Sequence, residues 1–131
     1  MTDDATLQRY LDEAPLHGVM GQLTVRLDAR GVVIEGVLSE VVDNGGGVVH
    51  GGAIATLLDT ALTFALIAPE DRDWTTMDIR VDYLRPLTIG PVAVTARVVH
   101  AGRRTGHAEG ELRDASDVLC ARATGTFVPS A

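Results

Sequence analysis

The sequence predicts an α+β domain in which an antiparallel sheet of about six strands packs against one long buried helix, with a short helix ahead of both. Three observations carry that expectation. A single segment, Gly51 to Ala68, shows a wide apolar arc at helical spacing. Every segment after Pro69 has strand character, and the punctuation between those segments is short.

The elements follow in order. From Asp3 to Ala14, Leu7, Tyr10, Leu11 and Ala14 recur at spacings of three and four, so a short amphipathic helix is expected, capped by Thr2 or Asp3 and ended by Pro15. Leu23, Val25 and Leu27 alternate with polar residues, and Ala29-Arg30-Gly31 turns the chain into a second extended run, Val32 to Leu38; this is a hairpin. A glycine-rich loop, Asp43-Asn44-Gly45-Gly46-Gly47, leads into the long helix, where Ala53, Ile54, Leu57, Leu58, Ala61, Leu62, Ala65 and Leu66 form the apolar arc. Strands are expected over Thr75 to Leu84, Val92 to His100, Thr105 to Arg113 and Val118 to Val128. Turn signals at Pro86, Gly90-Pro91, Gly102 and Ala115-Ser116-Asp117 separate them and predict a four-strand meander.

Length and composition narrow the function. With 131 residues the chain is one domain, 1–131, too short for separate cofactor and substrate domains. A formal net charge of -7 repels nucleic acid and anionic membranes, so neither is an expected partner, and a phosphate-bearing ligand has to be met by a local basic cluster. The single cysteine, Cys120, excludes an intrachain disulfide and a thiolate-rich metal site. His17, His100 and His107 lack partners at ligand spacing, and no metal or cofactor is expected. The N-terminal stretch has no apolar signal region, and the apolar helix is interrupted by Asp59 and falls short of the ~20 residues that cross a bilayer. A cytoplasmic location is the expectation.

The chemistry concentrates in one stretch: Asn44, Gly47, the triplet His50-Gly51-Gly52, and Asp59 seven residues beyond the second glycine of the triplet. This pattern resembles the signature of hotdog-fold acyl-CoA thioesterases of the phenylacetate-degradation type, the group that is similar to 4-hydroxybenzoyl-CoA thioesterase. One position departs, with Gly45 where the family commonly has Pro. The resemblance implies a hotdog fold, a sheet wrapped around a central helix, acting on an acyl-CoA as a homodimer with shared active sites or as a homotetramer built from two such dimers. It implies Asn44 and Gly52 of one subunit around the thioester carbonyl, His50 beside them in a positioning role, and Asp59 of the other subunit as base or nucleophile. Thr76 falls where the family often has a hydroxyl that holds the attacking water, with Thr75 as a competitor.

Physical reasoning on the residues agrees. Gly51 and Gly52 open a helix whose first N–H groups lack intrahelical partners, so a substrate carbonyl could approach them. An acid on an apolar helix is expected to be partly desolvated, which suits it to base or nucleophile chemistry. Gly52 and Asp59 are separated by ~10.5 Å of helix rise and cannot both reach one carbonyl carbon from the same chain. Arg80, Arg85, Arg103 and Arg104 are the candidate partners of the CoA phosphates; Arg80 could instead pair with Asp78 or Asp82. Aryl, phenylacetyl and medium-chain acyl groups all stay open, as does a non-catalytic acyl-CoA binding protein or a hotdog hydratase or dehydratase. The Pro-Gly-His-Phe-Pro-like setting of those dehydratases is absent from this sequence.

Overall fold

The computed structural model describes residues 1–130. Two helices, α1 (Asp4–Glu13) and α2 (Pro15–Met20), precede β1 (Gly21–Leu27) and β2 (Val32–Leu38); a 3-10 turn (Glu40–Val42) leads to α3 (Gly51–Ile67), and β3 (Trp74–Tyr83), β4 (Pro91–Ala101), β5 (Gly106–Asp114) and β6 (Leu119–Pro129) follow. All strands join one six-stranded sheet in the order β1-β2-β4-β5-β6-β3, every neighbouring pair antiparallel.

Two expectations are corrected here. The last four strands do not form a meander: β4, β5 and β6 do, but β3 lies at the far edge, paired with β6. The reason is the connection after β3, which is an anchored crossing and not a tight turn. The Leu84 and Arg85 N–H groups donate to the Cys120 carbonyl, Leu87 is buried, and its carbonyl accepts from Val49 N–H. The chain is thereby carried under β6 and β5 to the middle of the sheet. Pro15 also does not stop helical structure; it opens α2 from its first position, where a missing N–H costs nothing.

The sheet closes on α3. Ile54, Leu57, Leu58, Ala61, Leu62 and Ala65 face Ile34, Val94, Leu112, Ala121 and Phe127, all buried. Glycines in β5 and β6 set how near the helix comes: a Cβ at Gly110 would lie 2.8 Å from Leu62 Cδ1, and one at Gly125 3.1 Å from Leu62 Cδ2. Burying these side chains contributes about 1.5–3 kcal/mol each, so the helix is fixed as the central beam of the fold.

The two edges of the sheet are finished differently. Along β1, α1 supplies the missing hydrogen bonds from its side chains: Gln8 Oε1 accepts from Val25 N–H, Gln8 Nε2 donates to the Leu23 carbonyl, and Asp4 Oδ1 accepts from Leu27 N–H. Asp3, the expected cap, accepts from Thr6 N–H and fixes where α1 begins. Along β3, among the described residues, nothing bonds the outer edge, and Met77 stands 67% exposed at a register shift between Thr76 and Asp78. Among the same residues no helix is long and apolar enough to cross a membrane.

Candidate active site

The start of α3 is held from four directions. His50 N–H donates to the Val42 carbonyl and Val49 N–H to Leu87, which fixes the approach of the chain; the His50 carbonyl then accepts from Ala53 and Ile54. The His50 ring caps the helix, its Nδ1 accepting from Gly52 N–H at 2.8 Å. From β3, the Tyr83 hydroxyl donates to the Gly51 carbonyl at 2.6 Å. Among the described residues nothing accepts from Gly51 N–H. The expected oxyanion donor, Gly52 N–H, is therefore engaged by the imidazole of its own capping residue, and a substrate oxygen reaches it only by turning that exposed ring aside.

Before the helix, the glycine loop is tied by carboxylate and amide oxygens. Asp43 Oδ1 accepts from Gly45 N–H at 2.6 Å and Gly47 N–H at 3.1 Å, and Asn44 Oδ1 accepts from Gly46 N–H at 2.7 Å. Gly45 at φ +92° and Gly47 at φ +91° occupy the left-handed region that side chains rarely adopt. Asn44 is exposed and, among the described residues, nothing pairs with its amide nitrogen, so it can donate to a ligand while its oxygen holds the turn. Asp43 is a residue that sequence reasoning passed over; an Asp two residues ahead of a glycine is the signal for this turn.

Asp59 lies half-buried on the side of α3 that faces β3. Its Oδ1 accepts from Thr76 Oγ1 at 2.7 Å, and among the described residues the second carboxylate oxygen has no partner. The competing hydroxyl, Thr75, pairs with Ser130 Oγ at 2.7 Å on the opposite face. Thr56 and Thr63 turn their hydroxyls back onto the Gly52 and Asp59 carbonyls, at 2.9 and 2.8 Å. The exposed face of α3 around Asp59 thus presents Gly52, Thr56 and Thr63, small residues with satisfied polar groups. On its far flank Thr60 meets His17 Nε2 at 2.7 Å, and burial lowers the pKa of that imidazole.

The arginines divide into two populations. Arg80 lies on the outer face of the sheet, away from α3, beside Asp82 at 3.4 Å; its expected place at the site is not observed, because the strand alternation that points Val81 and Tyr83 at α3 points Arg80 the other way. Arg122 and Arg80 together hold the Asp82 carboxyl below its ordinary pKa. Arg97 pairs with Glu109 and Arg113 with Glu111 on that same face. Arg85, just after Tyr83, and Arg103 and Arg104, at the β4–β5 turn, are exposed and, among the described residues, have no carboxylate within 4.0 Å. Phe64 and Trp74 are core residues, 7% and 6% exposed, Phe64 against Tyr10 and Trp74 beneath Arg72.

Comparison with known proteins places the chain in a family. Residues 46–121 match the family described as the thioesterase superfamily, a segment that contains His50, Gly52, Asp59 and Thr76. Human acyl-coenzyme A thioesterase 13 is 34% identical over 88 residues, 65% of this chain and 63% of that protein. Curated relatives are matched over as little as 45% and as much as 96% of their own length, and a Saccharolobus solfataricus putative esterase, 32% identical, over 56% of its length. The zebrafish thioesterase superfamily member 2 structure superposes with a TM-score of 0.87 at 28% identity, covering 99% of this chain and all of that one (100%). A Bacillus halodurans protein solved with CoA superposes with a TM-score of 0.69 at 27% identity, over 74% of this chain and 70% of that one. The wrapped sheet, the glycine-opened central helix and the family match converge: the chain belongs to the thioesterase superfamily, the hotdog-fold class of thioester hydrolases.

Proposed function

We propose that this thioester hydrolase cleaves an acyl-CoA of the aryl, phenylacetyl or medium-chain kind to the free acid and CoA, in the manner of the phenylacetate-degradation type, at a site shared by two copies of the chain. The observation that carries the reading is the Thr76–Asp59 hydrogen bond, which orients one carboxylate oxygen and leaves the other free to act. In the general-base form, Asp59 takes a proton from water as the water oxygen bonds to the thioester carbon. In the nucleophilic form, that oxygen bonds to the carbon itself and water releases the acyl group later. Either way the C–S bond breaks and the CoA thiolate takes up the proton.

The oxyanion is met by Gly52 N–H once the His50 ring turns, with Asn44 as a second donor. Those donors belong to the partner of the chain that supplies Asp59, because ~10.5 Å of helix separates the two groups in one chain. The uncovered edge of β3 and the small-residue face of α3 run side by side, joined by the Thr76–Asp59 and Tyr83–Gly51 bonds, and favour a second copy as their occupant. CoA is substrate and not cofactor in this reading. The CoA held by the Bacillus halodurans neighbour supports the ligand class, and the carboxylate-free Arg85, Arg103 and Arg104 supply cations for its phosphates.

Thiol release from a panel of acyl-CoA substrates, followed with a chromogenic thiol reagent, tests the reaction, and kcat/KM across the panel ranks the acyl groups. Tight CoA binding without thiol release would replace hydrolysis with the binding-protein reading. Hydration of an enoyl-CoA with no thiol released would replace it with the hydratase reading.

A further inference from the structure

The β4–β5 turn that bears Arg103 and Arg104 is gripped from below by a residue outside the motif. Arg72, in the connection between α3 and β3, lies flat over the Trp74 ring, 4.7 Å from its centroid. Its fork donates from Nη1 to the Gly102 carbonyl at 3.1 Å and from Nη2 to the Arg103 carbonyl at 2.6 Å. The connection is itself secured: Thr2 Oγ1 donates to Asp71 Oδ1 at 2.6 Å, Ser130 N–H donates to the Asp73 carbonyl, and Asp71 sits at φ +52°. Gly102 N–H closes the turn onto the Thr105 carbonyl.

This grip fixes the direction of two peptide dipoles. In a planar trans peptide the N–H points opposite to the C=O. With the Gly102 and Arg103 carbonyls both aimed at the Arg72 guanidinium, the N–H groups of Arg103 and Arg104 face the other way. Among the described residues nothing accepts from either N–H, and neither Arg103 nor Arg104 has a carboxylate partner. One side of the turn is thus neutralised by Arg72, while the other collects two amide donors and two guanidinium groups, a set that suits a phosphate.

We propose that Arg72 is the positioning residue that makes this turn a phosphate cradle for the nucleotide end of the CoA thioester. The proposal rests on the acyl-CoA reading above and deepens it. Register places the cradle within reach: Thr76 is opposite Phe127, and Phe127 is opposite Gly106, so the row holding Thr76 and Asp59 meets the base of the turn about 10 Å away across two strand spacings. The nucleotide then rests on the subunit that supplies Asp59.

The test compares a CoA thioester with the N-acetylcysteamine thioester of the same acid, which lacks the nucleotide. Arg72→Gln removes the fork; Arg72→Lys keeps a cation stacked on Trp74 but cannot hold two carbonyls, and guards against a packing defect in the first variant. Both should raise KM for the CoA thioester by about tenfold, as loss of charge-assisted contacts to phosphate does, and leave kcat and the N-acetylcysteamine thioester within twofold. Adenosine 3′,5′-bisphosphate should inhibit the wild type competitively and lose affinity in parallel. In an Arg103→Ala/Arg104→Ala background, Arg72→Lys should cost less than it does in the wild type, because only the two oriented amide donors are left to lose. Equal loss on both substrates would show that Arg72 only supports the fold and would overturn the proposal. A KM effect of the Arg103/Arg104 pair without one of Arg72 would overturn it while leaving CoA recognition at the turn intact. No effect of either, with hydrolysis of acyl-CoA preserved, would remove the phosphates from this turn altogether.

Discussion

The two edges of the sheet meet the same physical problem with opposite solutions. A strand at an edge carries unpaired backbone groups, and a chain has either to cover them or to leave them for another chain. At β1 the covering is internal, with Gln8 and Asp4 of α1 bonding Leu23, Val25 and Leu27. At β3, among the described residues, it is absent, and the residues proposed for chemistry, Asp59 and Thr76, lie against this open side. The difference teaches that an edge can be closed within one chain or left available to another: α1 closes β1, whereas the proposed pairing of two copies would close the β3 side.

The sharpest way to break the comparison is at the open side. Asp59→Asn should lower kcat by about a hundredfold or more, as loss of an essential base or nucleophile does, while circular dichroism and gel filtration match the wild type. Mixing it with Gly52→Pro subunits, which lack the N–H, should restore up to about half the wild-type activity per heterodimer, because one of the two sites then has both groups intact. Well-folded heterodimers without rescue would end the shared-site mechanism.

A second pair of variants separates the edges directly. Met77→Arg on the β3 edge should shift gel filtration toward monomer and reduce activity in step with the monomer fraction, with secondary structure retained. Gln8→Ala on the β1 edge should leave association untouched and cost about 1–3 kcal/mol in denaturant unfolding, the range for stranding edge groups of a sheet. An exchange of these outcomes would reverse the assignment of the two edges.

Smaller effects sharpen it. Thr76→Val should reduce kcat roughly tenfold, one charge-assisted hydrogen bond at about 1.5 kcal/mol, whereas Thr75→Val should leave kcat within twofold. His17, on the closed flank of α3, gives the smallest effect. Burial depresses its folded-state pKa, so the folded protein binds fewer protons than the unfolded one; the contribution of neutral His17 is full above the ordinary imidazole pKa and is lost as pH falls through the folded-state value. Thermal unfolding across mildly acidic pH should show a drop that His17→Asn flattens.

Much of this was legible in the residues. The long helix, the hairpin and the strand segments could be read because their apolar periodicities are local. The motif placed Asp59, Gly52 and Asn44 near the start of one helix for the same reason. Strand order could not be read: nothing in the segment Leu84 to Gly90 announces that its amides will bond Cys120 and carry the chain beneath two strands. Of the two places open to Arg80, beside a CoA phosphate or beside a neighbouring carboxylate, strand alternation favours the second: the parity that turns Tyr83 toward Gly51 turns Arg80 outward, beside Asp82. Arg72 gave no signal at all, since its two acceptors are main-chain carbonyls that lie 30 and 31 residues away.

The left-handed turn at Gly45 bears on how this protein can be engineered. Consensus design would restore the proline that the family commonly carries there, on the rule that proline stiffens loops by restricting the unfolded chain. Here the exchange runs against two constraints at once. Proline holds φ near −65°, far from the +92° that the loop adopts, and it deletes the N–H that Asp43 Oδ1 accepts at 2.6 Å. In this chain a proline at position 45 would act as a lesion, and a designer seeking a stiffer loop would do better to leave Gly45 alone and preserve the carboxylate of Asp43 that ties it.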